Sequence, residues 1–235
     1  MRIKNLIVGA ALAALVTTPT LVLAGKANDT LNIILRDAIP VVDPYYNTQS
    51  AGTIVMTHVW DTLLELDPDT WKPKPALALE WKRIDDRTLE FKLRPGVKFH
   101  NGDTFSADDV VYTFNTILTD KKVTTPSNYN WMEATEKVDA MTVRVRSKKP
   151  FPAAIEYITG TMPIWPKAYR ERVGEAEYAK KPVGTGPYRI TALESTGEIR
   201  MERFADYYAG SPKGRAAIKS LVFRAVPDQT AQIAE

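Results

Sequence analysis

The chain has 235 residues, of which 44% are apolar and 25% charged, with a formal net charge of +3 and no cysteine. This composition excludes collagen-like and low-complexity chains, and the length is sufficient to bury a sizeable core. The absence of cysteine excludes disulfide frameworks, thiolate zinc sites and thiol nucleophiles. The small net charge is unlike the clustered basic surface of nucleic-acid-binding proteins, so we expect no nucleic-acid partner.

The first 24 residues have the composition of a secretory signal peptide. A short cationic end with Arg2 and Lys4 precedes an apolar run over residues 6–16, and Pro19 and Ala24 follow. The run is shorter than the roughly 20 residues that a membrane-spanning helix needs. We therefore predict cleavage after Ala24. Because no cysteine is present to carry a lipid anchor, the pattern predicts a soluble periplasmic protein.

The rest of the chain alternates strand-like and helix-like patterns, which indicates an α/β fold. In chain order, these patterns predict a buried strand over 30–36, a helix over 52–64, a two-stranded hairpin over 77–93, an extended piece over 97–100, a helix over 106–119, a strand over 141–145, helices over 152–159 and 167–173, strands over 188–192, 199–204 and 218–225, and a helix from Asp228. In the hairpin, Leu77, Leu79 and Trp81 alternate and are expected to face one side.

The helix over 106–119 has the clearest start signal. Ser106 is an N-cap residue type, and Asp108 and Asp109 lie where the helix dipole favours negative charge. The apolar residues expected to form its buried stripe are Val110, Val111, Phe114, Ile117 and Leu118.

Motifs that suggest catalysis or cofactor binding are better explained as structure. The sequence Gly184-Thr185-Gly186 lacks the third glycine of a dinucleotide fingerprint, so we interpret it as a turn. His100 has no second convergent ligand, and its neighbours indicate a plain hydrogen-bonding residue. No Gly-x-Ser-x-Gly nucleophile motif occurs. We therefore predict no catalytic residue, no cofactor and no metal site.

Two stretches have compositions suited to ligand contact. The loop 40–43 directly follows the first predicted strand, and loops at the carboxyl ends of strands commonly border ligand sites. The segment 128–131 places two aromatic rings among amides, which suits contact with a solute. Packing of one loop on another explains both stretches equally well. The candidate ligand-binding residues are Pro40, Val41, Val42, Asp43, Tyr129 and Trp131.

Several short motifs follow one another in a characteristic order. They are LALEW at 77–81, TLEFKLRPGVKFHNG at 88–102, SADDVVYTF at 106–114, KPFP at 149–152, VGTGPY at 183–188 and PDQTA at 227–231. In order and spacing, this series resembles the bacterial extracellular solute-binding proteins of family 5, which are peptide- and nickel-binding receptors of ABC importers.

The resemblance implies a periplasmic-binding-protein-like fold of class II, family 5 type, with a mixed sheet and flanking helices. Such receptors are two-lobed clamshells that close on a solute. Residues 25–235 are expected to form the first lobe, with a core sheet subdomain over 30–50 and 183–235 and an inserted subdomain over 51–182. Family members are about twice this length. The second lobe is therefore expected to be missing, and the chain is expected not to close on a ligand.

The predicted function is that of a monomeric receptor that captures a peptide or a similar small solute for an ABC permease. A receptor for a nickel chelate, haem, an opine or a sugar is one alternative. A truncated periplasmic interaction protein without solute binding is another. An exported hydrolase is disfavoured because nucleophile motifs are missing.

Overall fold

The computed structural model describes residues 28–227. The predicted signal peptide and the helix predicted from Asp228 lie outside the described residues. The strands are β1 (Thr30–Leu35), β2 (Leu64–Leu66), β3 (Pro73–Pro75), β4 (Ala78–Arg83), β5 (Thr88–Leu93), β6 (Met132–Asp139), β7 (Thr142–Ser147), β8 (Tyr188–Leu193), β9 (Ile199–Arg203) and β10 (Ser220–Ala225). The helices are α1 (Ser50–Val59), α2 (Ala107–Thr119), α3 (Ala154–Ile158), α4 (Lys167–Val173) and α5 (Glu175–Lys180).

The strands form two four-stranded sheets and a small hairpin. The first sheet has the order β1-β10-β9-β8 and is mixed, since β1 runs parallel to β10 and the other pairs are antiparallel. The second sheet has the order β4-β5-β7-β6 and is antiparallel throughout. The strands β2 and β3 pair with each other alone. The α/β prediction with a mixed sheet is confirmed.

Each sheet has its own hydrophobic core. In the first, α1 packs Val55 and Val59 against the sheet, where Phe223 is fully buried. In the second, Phe91 and Phe114 are fully buried between the sheet and α2. Strand alternation over 88–93 and the helical spacing over 107–119 supply these buried side chains.

The predicted start of α2 is confirmed. The Ser106 side chain accepts a hydrogen bond from the Asp108 backbone N–H, and the Asp109 carboxylate accepts one from the Ser106 backbone N–H. This reciprocal capping satisfies N–H groups that a helix start leaves unpaired. In the predicted stripe, Val111 and Leu118 are only half-buried.

Several predicted elements differ in detail from the structure. The helix predicted to reach residue 64 ends at Val59, because Trp60 adopts an extended backbone and buries its indole against Tyr178 and Val183. A β-bulge between Ala78 and Glu80 shifts the register of β4, and Leu79 is therefore exposed rather than buried.

Edge position explains two further differences. The strand β1 lies at the edge of its sheet and is half-exposed rather than buried. The strand β6 was not predicted, because an edge strand with one wet face needs few apolar residues; only Met132 and Thr135 of this polar strand are buried.

The predicted subdomain boundaries remain a prediction. The helix α1 crosses the predicted boundary at residue 51, and Val55, Val59 and Trp60, which lie beyond that boundary, pack in the core of the first sheet. Among residues 28–227, no helix is both long and apolar enough to cross a membrane.

Candidate functional site

The glycine turn at 184–186 packs directly on the end of α1. The Gly186 backbone N–H donates to the Val59 carbonyl oxygen at 2.9 Å, and a Cβ added at Gly184 would overlap that same oxygen. A turn pressed this closely against another backbone has no room for a phosphate group. The interpretation of this motif as a structural turn therefore agrees with its position.

The His100 side chain hydrogen-bonds to the backbone of the glycine turn at Gly184 and Gly186. Its Nδ1 atom accepts a hydrogen bond from the Gly184 N–H at 3.2 Å, so the proton must reside on Nε2, which donates to the Gly186 carbonyl oxygen at 3.0 Å. Burial lowers the pKa of His100 to about 4, although the bond to Gly186 opposes that shift. The imidazole is thus held neutral in one tautomer, as a structural bridge.

The loop 40–43 separates two concavities, each bordered on its other side by α5. One has a volume of about 240 Å³ and lies between residues 39–42, Lys180 and the β8–β9 turn. The other, of about 390 Å³, is lined by Val41, Asp43, Tyr46, Lys122, Glu175, Ala176 and Ala179. Pro40 is exposed, Val41 is half-buried and borders both concavities, and Val42 is buried.

Asp43 turns its carboxylate into the protein rather than toward solvent. It is 2% exposed, and its Oδ1 atom accepts the Tyr45 N–H at 3.1 Å, whereas Oδ2 has no hydrogen-bond partner in the described chain. Burial raises the pKa of Asp43 to about 7, and the nearby Arg170 guanidinium opposes the rise. Asp43 therefore anchors the loop and titrates close to neutral pH.

Arg170 is the buried cation beneath this loop. Its guanidinium carbon lies 3.4 Å from the centre of the Trp165 ring, and its Nη2 atom donates to the Tyr46 hydroxyl at 2.8 Å. The Tyr46 hydroxyl in turn donates to Asp120 at 2.7 Å. Stacking on an aromatic face is a usual means of holding a buried arginine, and here the Tyr46 hydroxyl connects the guanidinium to Asp120.

The structure brings Tyr129 to the loop but leaves Trp131 elsewhere. The Tyr129 ring is buried edge-on against Tyr45, with ring centres 5.5 Å apart. The half-buried Trp131 stacks on Phe151 at 5.0 Å, and its Nε1 donates to the Asn128 carbonyl oxygen. Whether either residue contacts a solute stays a prediction.

Sequence reasoning did not identify Arg170 or Lys180 as members of this region. Arg170 lies in a correctly predicted helix, but its neighbours in sequence carry no sign of burial. The basic pair Lys180-Lys181 was a local feature that could have drawn attention to this region, because only Pro182 separates it from the VGTGPY motif. Among residues 28–227, no group of three or more His, Asp or Glu side chains is arranged to hold a metal ion.

A second buried charge cluster joins the β9–β10 connection of the first sheet to the segment that leads from α1 into β2. The Lys213 ammonium lies 2.8 Å from the fully buried Asp61 carboxylate and 3.2 Å from Glu65, and it donates to the Trp60 carbonyl oxygen at 2.8 Å. These contacts fix the long β9–β10 connection against residues 60–65, which include the start of β2. The cluster lines neither concavity beside the loop 40–43.

Comparison with known sequences identifies relatives over most of the chain. The profile for "Bacterial extracellular solute-binding proteins, family 5 Middle" matches residues 72–235. Glutathione-binding protein GsiB of Pectobacterium atrosepticum is 30% identical over 227 residues, covering 94% of this chain and 42% of that protein. The probable ABC transporter periplasmic-binding protein SapA of Escherichia coli is 29% identical, covering 69% and 35%. The chain thus spans about two fifths of the length of the curated relatives it matches.

Solved structures have the same fold over a similar share. The oligopeptide-binding protein AppA of Bacillus subtilis, in complex with a nonapeptide, has a TM-score of 0.76 and 26% identity, covering 87% of this chain and 41% of that one. The dipeptide-binding protein of Pseudoalteromonas sp. SM9913, in complex with Met-Leu, has a TM-score of 0.74 and 26% identity, covering 87% and 45%. The predicted periplasmic-binding-protein-like fold is confirmed, and the chain belongs to the bacterial extracellular solute-binding proteins, family 5.

Proposed function

We propose that this protein is a monomeric periplasmic receptor that captures a peptide-like solute and presents it to the permease of an ABC importer. The observation that carries the proposal is the 30% identity with GsiB across 94% of the chain. GsiB is a glutathione-binding protein, and glutathione is a small peptide. SapA, which is named as an ABC transporter protein, supports the import partner. No chemical step on the solute is part of this proposal.

The loop 40–43 provides one wall for the solute in this proposal. Pro40 and Val41 are the accessible residues of the loop, and their side chains carry no charge. Such a wall contacts a peptide through its backbone and small apolar surfaces, which tolerates varied ligand side chains. The buried Asp43 holds the wall in place through the Tyr45 N–H. We assign Asp43 a positioning role and not a direct contact.

The experiment places a bulky charge on this wall. Val41→Arg introduces a long cation where both concavities meet, and it should weaken solute binding at least tenfold. Val138→Arg is the matched control, because Val138 is 45% exposed on β6 and lines neither concavity. NMR titration of the purified protein with glutathione, Met-Leu, a nonapeptide and agropinic acid measures solute binding residue by residue.

Three outcomes discriminate between the alternatives. Chemical-shift changes around residues 39–43 that vanish in Val41→Arg and persist in Val138→Arg support the proposal. Equal effects of the two substitutions would contradict the assignment of the wall. A response to agropinic acid alone would replace peptide by an opine, which is a second candidate because AgaA of A. tumefaciens R10, in complex with agropinic acid, has 25% identity and a TM-score of 0.77.

A further inference from the structure

We propose that the outer edge of β8 is a docking site for an extended acidic peptide, which adds to the first sheet as a fifth strand. This inference goes beyond solute capture, because it concerns a surface that the loop 40–43 does not form. It rests on a slot along β8, on unpaired backbone groups and on the charge of the slot.

The slot runs along one whole strand. Its volume is about 390 Å³, one wall is formed by Arg189–Leu193, and the facing wall includes Lys180–Val183. This volume falls within the range of roughly 300–1,000 Å³ that is typical of ligand sites. A peptide of about five residues in extended form, at roughly 3.3 Å per residue, matches the length of the strand.

The strand presents backbone groups to the slot. In the described part of the chain, β8 pairs only with β9 and is the last strand of its sheet. Alternate backbone N–H and C=O groups of an edge strand point away from its neighbour, and they form a template for another strand. In β8 a bulge between Ile190 and Ala192 interrupts this alternation, so a docked peptide pairs with the residues on either side of the bulge. Between residues 28 and 227, no hydrogen bond joins the outward groups of Arg189–Leu193 to another segment. These groups can therefore bind a peptide main chain.

The charge of the slot selects an acidic occupant. Lys180, Lys181 and Arg189 line it, and no carboxylate is among its described lining residues. Lys180 pairs with Glu177 at 2.6 Å and Arg189 pairs with Glu202 at 3.2 Å, but all four side chains are exposed. Exposed pairs of this kind are worth little, so a ligand carboxylate can compete for these cations. Lys181 forms no direct ion pair among residues 28–227, although together with Lys180 it lowers the pKa of Glu177.

The probe is a hexapeptide of alternating glutamate and valine, acetylated and amidated at its ends and labelled with fluorescein. Blocked ends remove the charged termini, so that binding reports on the main chain and the glutamates. Fluorescence anisotropy with the purified protein should show saturable binding that weakens as salt is added. A lysine–valine hexapeptide should bind at least tenfold more weakly. A version of the acidic probe that is methylated on alternate backbone nitrogens should also bind at least tenfold more weakly, because it cannot donate hydrogen bonds to β8.

A charge-reversed variant tests the location. Lys181→Glu combined with Arg189→Glu should weaken the acidic probe at least tenfold. The matched control is Arg146→Glu combined with Lys148→Glu, an exposed pair outside the slot that makes the same change in net charge and should stay within twofold of the unaltered protein. Hydrogen exchange should show new protection of the Arg189–Leu193 amides when the probe is bound.

Several results would overturn the inference. Absence of saturable binding would mean that the cations serve only to prevent edge-to-edge pairing of sheets. Equal affinity for the acidic and basic probes would contradict the inference that the slot prefers an acidic peptide. Undiminished binding of the methylated probe would exclude binding by strand addition. Protection confined to residues 39–43 would assign the probe to the proposed solute wall. All of these measurements use the unaltered protein, so they test the inference even if the charge-reversed variant does not fold.

Discussion

Replacing His100 by glutamine should change how the stability of the protein depends on pH. The pKa of His100 is lowered by burial to about 4 from its ordinary value of 6.5. Between these values the unfolded chain binds a proton that the folded chain does not bind, so stability falls as the pH decreases from 6.5 toward 4. At about 1.4 kcal/mol per pKa unit, the loss from pH 6.5 to about pH 4.5 is ~2.2 kcal/mol, because the unfolded histidine is already half-protonated at pH 6.5. We take about 2 kcal/mol, since solvent reaches part of the half-buried ring.

Asp43 has the opposite effect in the same pH range. Its pKa is raised by burial to about 7 from 3.8, so the folded state binds a proton that the unfolded state does not bind. Stability contributed by Asp43 therefore rises as the pH decreases from 7 toward 4, by about 3 kcal/mol at pH 4.5. The two groups oppose each other, and their combined change in the unaltered protein should be about 1 kcal/mol.

Urea unfolding at pH 7 and at about pH 4.5 measures these contributions. Relative to the unaltered protein, His100→Gln should gain about 2 kcal/mol more on acidification, whereas Asp43→Asn should lose about 3 kcal/mol more. Groups common to all three proteins cancel in these differences. If the free energies of His100→Gln and of the unaltered protein shift in parallel with pH, the neutral bridge between Gly184 and Gly186 is refuted.

Two further substitutions test the backbone geometry. Gly184→Ala should destabilise the protein by at least about 3 kcal/mol, because the new Cβ overlaps the Val59 carbonyl oxygen; a melting temperature near that of the unaltered protein would contradict this packing. Trp71→Gly should stabilise the protein by about 0.5–1 kcal/mol, because Trp71 is 75% exposed and has a φ of +56°, which favours glycine. Trp71→Ala retains that φ and should give no such gain in urea unfolding.

The side chains at the candidate site were placed by contacts that sequence does not contain. The loop 40–43 was identified from its position after a strand, and the structure gives it a concavity on either side. The electrostatic surroundings of the buried Asp43 include Arg170, which is 127 positions away in the chain and is itself held by Trp165 and Tyr46. Loop composition gives no information about such a partner, so it could not separate a contact residue from an anchor.

Local signals determined much of the fold. The capping residues around Ser106, the alternation over 88–93 and the glycine turn at 184–186 each satisfy or restrict backbone groups within a few residues. Such features predict the same local structure whatever the rest of the protein does, because they depend on the period of the side chains and on backbone geometry. The ordered series of these motifs was also sufficient to indicate the family.

Tertiary structure alone decided which surfaces those elements cover. The polar strand β6 forms because it pairs with β7. The helix α1 ends at Val59 because the Trp60 indole packs beside Tyr178 and donates a hydrogen bond to its hydroxyl. The basic slot beside the outer edge of β8 exists because residues 180–183, at the end of α5 and directly after it, pack along the strand that comes shortly after them in the chain. Burial and pairing between distant segments have no local period, so the sequence by itself determined the elements and the packing determined their exposed faces.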